Sequence, residues 1–176
     1  MTLYFPSITI DAVIEALASF LTPFLPTDLP IVRGQQNRVA PPTYNGTDPL
    51  AFVKLQETSQ SDLETPTVIQ SADPSVQQES ISTPTQMDIQ IDFYGIAAGD
   101  YCKAVKTVFR SSYAPDQFPD GIAPLYCSNG IQGALITGEA QYEDRWSLTA
   151  SMQYNPIVTV PQQSALVITA KTEVYS

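Results

Sequence analysis

Residues 86–112 read QMDIQIDFYGIAAGDYCKAVKTVFRSS, and the period of the apolar side chains changes at Gly95. Before it, Met87, Ile89, Ile91 and Phe93 alternate with Gln86, Asp88, Gln90 and Asp92. Period 2 marks a half-buried strand with one face for a core and one polar face. After Gly95, Ala98, Tyr101, Cys102, Val105, Val108 and Phe109 recur at helical spacing, with Asp100, Lys103, Lys106 and Arg110 off the stripe. A strand feeding an amphipathic helix directly is the nucleus of an α+β domain.

Upstream, Ile8–Phe24 predicts a second helix with Ile10, Val13, Ile14, Leu17, Leu21 and Phe24 on its stripe. Ser7 or Thr9 can cap it, Asp11 and Glu15 suit the positive end of its dipole, and Pro23 and Pro26 limit its far end. Its polar side has no Lys or Arg to hold anionic lipid, so the stripe is assigned to a core rather than to a membrane surface. Ile31–Arg38 is a short extended segment halted by Pro41-Pro42, and Ala51–Gln56 alternates as a strand. Residues 57–85 are polar and Pro-punctuated. They predict a long hairpin with its tip near Ala72–Ser75, paired back into the strand Gln86–Tyr94, although the composition would also suit a disordered linker. Such a protruding arm is suited to contact with another subunit.

Downstream, Ser112–Ile122 is irregular, Leu125–Cys127 is a short strand, Asn129-Gly130 is a turn, and Ile131–Thr137 is either loop or strand. Trp146, Leu148, Ala150, Met152 and Tyr154 alternate with polar residues in the clearest strand, Asp144–Tyr154. Asn155-Pro156 kinks the chain, Ile157–Val160 continues extended, and Ala165–Tyr175 predicts a last strand. The expected fold is a single α+β domain over residues 1–176. It has a largely antiparallel twisted sheet, two helices packed on one face and a long protruding hairpin.

A chain of 176 residues fits one domain and can bury roughly 70% of the surface its unfolded form exposes. With 18 acidic and 8 basic residues the net charge is −10, which argues against wrapping nucleic acid but leaves room for a surface that faces DNA without holding it. Two cysteines are too few for a disulfide framework, and Cys102 on the helical stripe reads as a buried thiol. Met1–Ser7 has no basic leader character, and no apolar run approaches the ~20 residues of a membrane span. A soluble protein of a reducing compartment is expected.

Chemistry is hard to place. The chain has no histidine, which removes His-based triads, Cys–His pairs and the usual zinc and non-haem iron sites. Gly130-Ile131-Gln132-Gly133 lacks dinucleotide-binding spacing and reads as a turn. Asp88 and Asp92 share a strand face but lie ~13 Å apart at ordinary rise, so they read as a solvated or subunit-facing polar surface. Asp116 with Asp120, and Glu143 with Asp144 beside Arg145, read as loop and surface groups. No catalytic, metal or cofactor residues are predicted.

One order of features carries a family resemblance. An N-terminal helix precedes Arg33-Gly34-Gln35-Gln36-Asn37-Arg38 and Pro41-Pro42. The Phe52-Val53 strand, the polar hairpin, the strand Met87–Tyr94 entering the helix Ala97–Ser111, and the Trp146 strand follow. From Ile8 to Tyr175 the chain resembles the neck or tail-terminator proteins of contractile-tailed bacteriophages. The resemblance implies a virion structural protein that forms a hexameric ring on the tail tube, ends tube growth and joins the head connector. DNA would pass through the lumen without specific binding. It implies no enzymatic activity, cofactor or membrane. The implied partners are other copies of the chain, tail tube and sheath proteins and the head connector, at the tail–neck junction of a virion assembled in the host cytoplasm. Arg33, Gln35, Gln36, Asn37 and Arg38 of the motif, with Asp62, Glu64, Asp73 and Glu79 of the hairpin, are the expected subunit-interface residues. The rival readings are another tail tube or tail-completion protein and a small carbohydrate- or ligand-binding module. Ring formation without ligand counts against the module.

Overall fold

The computed structural model describes residues 4–34, 49–70, 78–136 and 142–161. In chain order these form α1 (Ile10–Leu21), β1 (Ile31–Arg33), β2 (Phe52–Asp62), β3 (Thr67–Gln70), β4 (Gln78–Ser82), β5 (Thr85–Tyr94), α2 (Ala98–Phe109), β6 (Ile122–Cys127), β7 (Ile131–Ile136), β8 (Tyr142–Tyr154) and β9 (Ile157–Pro161). Short 3₁₀ turns follow α1 and precede β6. The strand expected over Ala165–Tyr175 lies outside the described residues.

β5 and β8 are the centre of the main sheet, whose order is β1-β2-β5-β8-β6, with β7 also paired to β8. Every pairing in it is antiparallel except β1 with β2. The register sets Met87 opposite Met152, Ile89 opposite Ala150, and Ile91 between Leu55 and Leu148, so the apolar phases of three strands coincide on one face. Val13, Leu17 and Leu21 of α1 and Ala98, Cys102 and Val105 of α2 join that face in one core. Each fully buried Leu, Ile, Phe or Met side chain there contributes about 1.5–3 kcal/mol. Phe20 of α1 meets Phe109 of α2 edge-on and stacks on Phe118, which locks the two helix ends together.

Of the two possible caps of α1, Thr9 serves: its hydroxyl oxygen accepts the Ala12 N–H at 3.2 Å. Ser7 has another task, exchanging hydrogen bonds with the Ile157 backbone at the start of β9. The Ile131–Thr137 ambiguity resolves to strand β7.

The polar segment pairs back antiparallel, β2 on β5 and β3 on β4, but it is divided between two sheets, and the expected tip at Ala72–Ser75 lies outside the described residues. The last row of the main sheet is Asp62, Thr85 and Tyr154, and the next row, Thr67, Ser82 and Ile157, belongs to a separate sheet of order β3-β4-β9. Pro66, Pro84 and Pro156 fall in the three connections between these rows. Proline offers no N–H to a ladder and fixes φ, so three prolines at one level break all three strands together. Leu63 N–H to the Pro84 carbonyl and Thr83 N–H to the Pro156 carbonyl span the break. Ile157–Val160 therefore does not simply prolong β8; it leaves with β4.

Gly95 executes the strand-to-helix change at φ +139°. A Cβ there would sit 2.8 Å from both Leu50 Cα and the Pro49 carbonyl oxygen, backbone atoms that cannot rotate away. Gly95→Ala is expected to cost about 2 kcal/mol or more. Denaturant titration at unchanged m-value checks it, and a midpoint equal to the parent's would show that the turn relaxes freely.

Candidate functional site

The face of the main sheet opposite the helices carries the polar phase. Asp92 of β5 lies between Lys54 of β2 and Ser147 of β8, as the cross-strand register dictates. Its carboxylate accepts Ser147 Oγ at 2.5 Å, Gln90 Nε2 at 2.7 Å and Arg145 Nη2 at 2.9 Å, with Lys54 Nζ at 3.2 Å. The side chain is 0% exposed. The reading of Asp92 as solvated or subunit-facing is thus corrected: flanking long side chains from β2 and β8 close over it. One row on, Phe52 stacks on Tyr94 at 4.3 Å and the Arg145 guanidinium lies 5.8 Å from the Tyr94 ring. Asp88, four residues earlier on the same face, accepts from Ser151, Gln86 and Ser59.

Burial alone would raise the carboxyl pKa of Asp92, but the hydrogen bonds from Ser147, Gln90 and Arg145, with Arg145's charge, outweigh it and hold the value below 3.8. Asp88 is lowered likewise, its hydrogen bonds outweighing burial. A folded pKa below the unfolded one contributes stability that is present above the unfolded value and lost as pH falls through the folded one. The chain is therefore expected to keep constant stability from these groups above about pH 5 and to lose it progressively below the ordinary Asp value. Urea melts from pH 6 to pH 2 check this. A midpoint that rises on acidification through that window would refute it.

Of the expected interface residues, Arg33, Asp62, Glu64 and Glu79 fall within the described residues, and Arg33 lies apart from Asp62. Arg33 ends β1 and ion-pairs with Asp11 of α1. A groove of about 320 Å³ beside that pair is lined by Ile14, Ala18 and Ile31. Gln35, Gln36, Asn37 and Arg38 lie outside the described residues, as does Asp73. Asp62 closes β2, Glu64 is exposed in the β2–β3 connection, and Glu79 is half-buried in β4. Arg33 registers with Leu55, which is roughly 23 Å along β2 from Asp62. The two groups thus sit at opposite ends of one strand.

Two surfaces stand out instead. The first is the arm, β3-β4-β9. Val68, Ile81 and Val158 form one cross-strand row on it. Val68 and Ile69, neighbours on β3 and hence on opposite faces, are 49% and 54% exposed. The second is the outer side of α2 with the β6–β7 edge. Lys103 and Arg110 are exposed there beside Lys106, and Leu125, Tyr126 and Ile131 are exposed on the strands. Arg110 donates to the Tyr126 hydroxyl and the Cys127 carbonyl, and its guanidinium lies 4.7 Å from the Tyr126 ring centre. The sequence holds these cations at helical spacing off the apolar stripe. Their apolar neighbours arrive only through the β6–β8 and β7–β8 pairings.

Cys102 and Cys127 are free and buried, and burial pushes both thiols up to about 11 against the opposing pull of Lys106 and Arg110. Thiols so placed are poor nucleophiles. Among the described residues no three His, Cys, Asp or Glu side chains gather closely enough to hold a metal ion, and no helix is long and apolar enough to cross a membrane.

No curated protein matches the chain in sequence. A family does: phage neck terminator proteins match residues 11–174, from the first turn of α1 almost to the C-terminus. That span takes in both helices, both sheets and both surfaces described above, and the chain therefore belongs to the phage neck terminator protein family.

Proposed function

We propose that the chain assembles as a homohexameric ring that caps the tail tube, ends tube growth and joins the tail to the head connector, leaving a channel for DNA. The observation that carries this reading is the arm: a three-stranded sheet beyond a line of prolines, with exposed apolar side chains on both faces of its outermost strand. An edge strand that leaves apolar side chains in solvent on both faces is suited to contact with another subunit. The partners are further copies of the chain, with the tail tube and sheath on one side and the head connector on the other. The six-fold number comes from the family resemblance. The net charge of −10 suits a lumen along which DNA slides without adhering. The most cationic spot on the sheet's polar face is itself neutralised in part, since Lys54 and Arg145 share Asp92.

The test is the mass of the purified chain by light scattering, alone and with purified tail tubes, followed by negative-stain imaging. The expected result is a closed ring with a central hole and a mass about six times the 19.2 kDa of one chain. A chain that stays monomeric in solution and on tubes would overturn the ring and move weight to a ligand-binding module.

A further inference from the structure

We propose that the β3 flank of the arm docks onto the surface formed by α2 and the β6–β7 edge of a second copy of this chain. The inference rests on the ring reading and names the two surfaces that close the ring.

Charge is the first ground. Asp62 and Glu64 lie at the foot of the β3 flank and Glu79 on β4, and residues 57–85 hold no Lys or Arg. On the opposite flank, Lys103, Lys106 and Arg110 follow one another at helical spacing on α2, and only Asp100, one turn earlier, offsets them. In a chain with 8 basic residues in all, this row is the natural counterpart of the acidic arm.

Shape and polarity are the second. The edge strand β3 offers Val68 on one face and Ile69 on the other, with Leu63 exposed at its foot. The receiving surface offers Leu125, Tyr126 and Ile131, the last 69% exposed. Arg110 is already fixed across the Tyr126 ring and hydroxyl. A preformed cation–aromatic pair loses little freedom on binding, which favours it as an anchor.

Topology is the third. Beyond the proline line β3 lies beside β4 as β2 lies beside β5, so it sits on the β1–β2 side of the molecule. β6 and β7 lie on the far side of β8. Donor and acceptor therefore occupy opposite edges, as a head-to-tail ring requires; a two-fold dimer would bring one surface against itself. The cationic row facing DNA is the competing idea. Exposed Leu125, Tyr126 and Ile131 among the cations, and the internal engagement of Lys106 with Asn129 and Arg110 with the Cys127 carbonyl, favour a protein partner.

The experiment uses the full chain and four variants: Lys103→Glu with Lys106→Glu, Asp62→Lys with Glu64→Lys, all four changes together, and Ile69→Asp. Circular dichroism melts verify folding, and light scattering at one protein concentration, with and without tail tubes, reads assembly. Each charge-reversal pair and Ile69→Asp are expected to lower the assembled fraction about tenfold or more, and the four-fold variant to recover it. Ile69 is exposed and outside the core, so its variant keeps the test sound if a charge reversal harms folding. Assembly of the parent with undiminished assembly of the variants would overturn the docking while leaving the ring. Failure of the parent itself to assemble would overturn the ring and the docking with it. Normal assembly with loss of duplex DNA retention by the Lys103/Lys106 variant would assign the row to DNA and overturn the docking.

Discussion

Asp92→Ala is expected to destabilise the chain by about 3 kcal/mol and to lower Tm by roughly 6–12 °C for a domain of this length. The carboxylate is 0% exposed and is the shared counter-ion of Lys54 and Arg145. Removing it leaves two cations facing one another and takes the acceptor from Ser147 and Gln90. Breaking a buried pair by deleting one partner costs about 3–5 kcal/mol in general. The lower end applies here because Lys54 and Arg145 keep 26% and 27% of their side chains in solvent. Arg145 Nε is already buried without a hydrogen-bond partner among the described residues, so the guanidinium has little slack. Replacing all three charges by Met, Leu and Met is expected to cost far less than the single change, since no unpaired charge remains. Thermal melts at pH 7 compare the two. An Asp92→Ala protein that melts with the parent would mean that water, not Lys54 and Arg145, solvates the carboxylate.

Val105→Asp is expected to cost more, about 4–6 kcal/mol at pH 7. Val105 is completely buried between α2 and the sheet, within the core shared by both helices. The substitution forfeits the apolar burial and inserts a carboxyl among apolar side chains. Its pH dependence is opposite to that of Asp92. A carboxyl desolvated there has its folded pKa raised, so the penalty is greatest above that value and shrinks as acid protonates the group. The parent loses stability on acidification while the variant loses less, and the two curves converge. Paired urea titrations at pH 7 and pH 4 read this directly. Equal midpoints at pH 7 would place the helix stripe outside the core.

The family places this chain in the phage neck as a structural terminator protein, and the two stability predictions bear on how such a domain stays intact. The core that Val105 probes and the polar ladder that Asp92 anchors are the two faces of one sheet. Their separation follows from the alternation of β5 alone. The arm lies beyond them, past Pro66, Pro84 and Pro156, so its edge can be altered without entering either face.

Much of this was legible in the residues themselves. Period 2 in 86–94 and period 3.6 in 98–109 are local properties of the backbone, and they identified β5, α2 and the core-facing side chains of both. The same holds for α1 and for β8, whereas Asn129-Gly130, which reads as a turn, reverses nothing: β6 and β7 follow one another in the same direction along β8. The order of these features also carried the phage terminator resemblance. Three things came only with the tertiary structure, all for one reason: they depend on which strands lie side by side. Asp92 read as solvated because alternation assigns it to the polar face but says nothing of Lys54, some forty residues upstream, or Arg145, far downstream, meeting over it. The three prolines read as separate punctuation, and only the β2-β5-β8 register aligns them into one break. Helical spacing sets Lys103, Lys106 and Arg110 off the stripe of α2, but only the strand pairings put the exposed side chains of β6 and β7 beside them. Sequence periodicity determined which way each side chain turns from its own element; long-range strand pairing, whose partners are distant along the chain, decided what each side chain meets there.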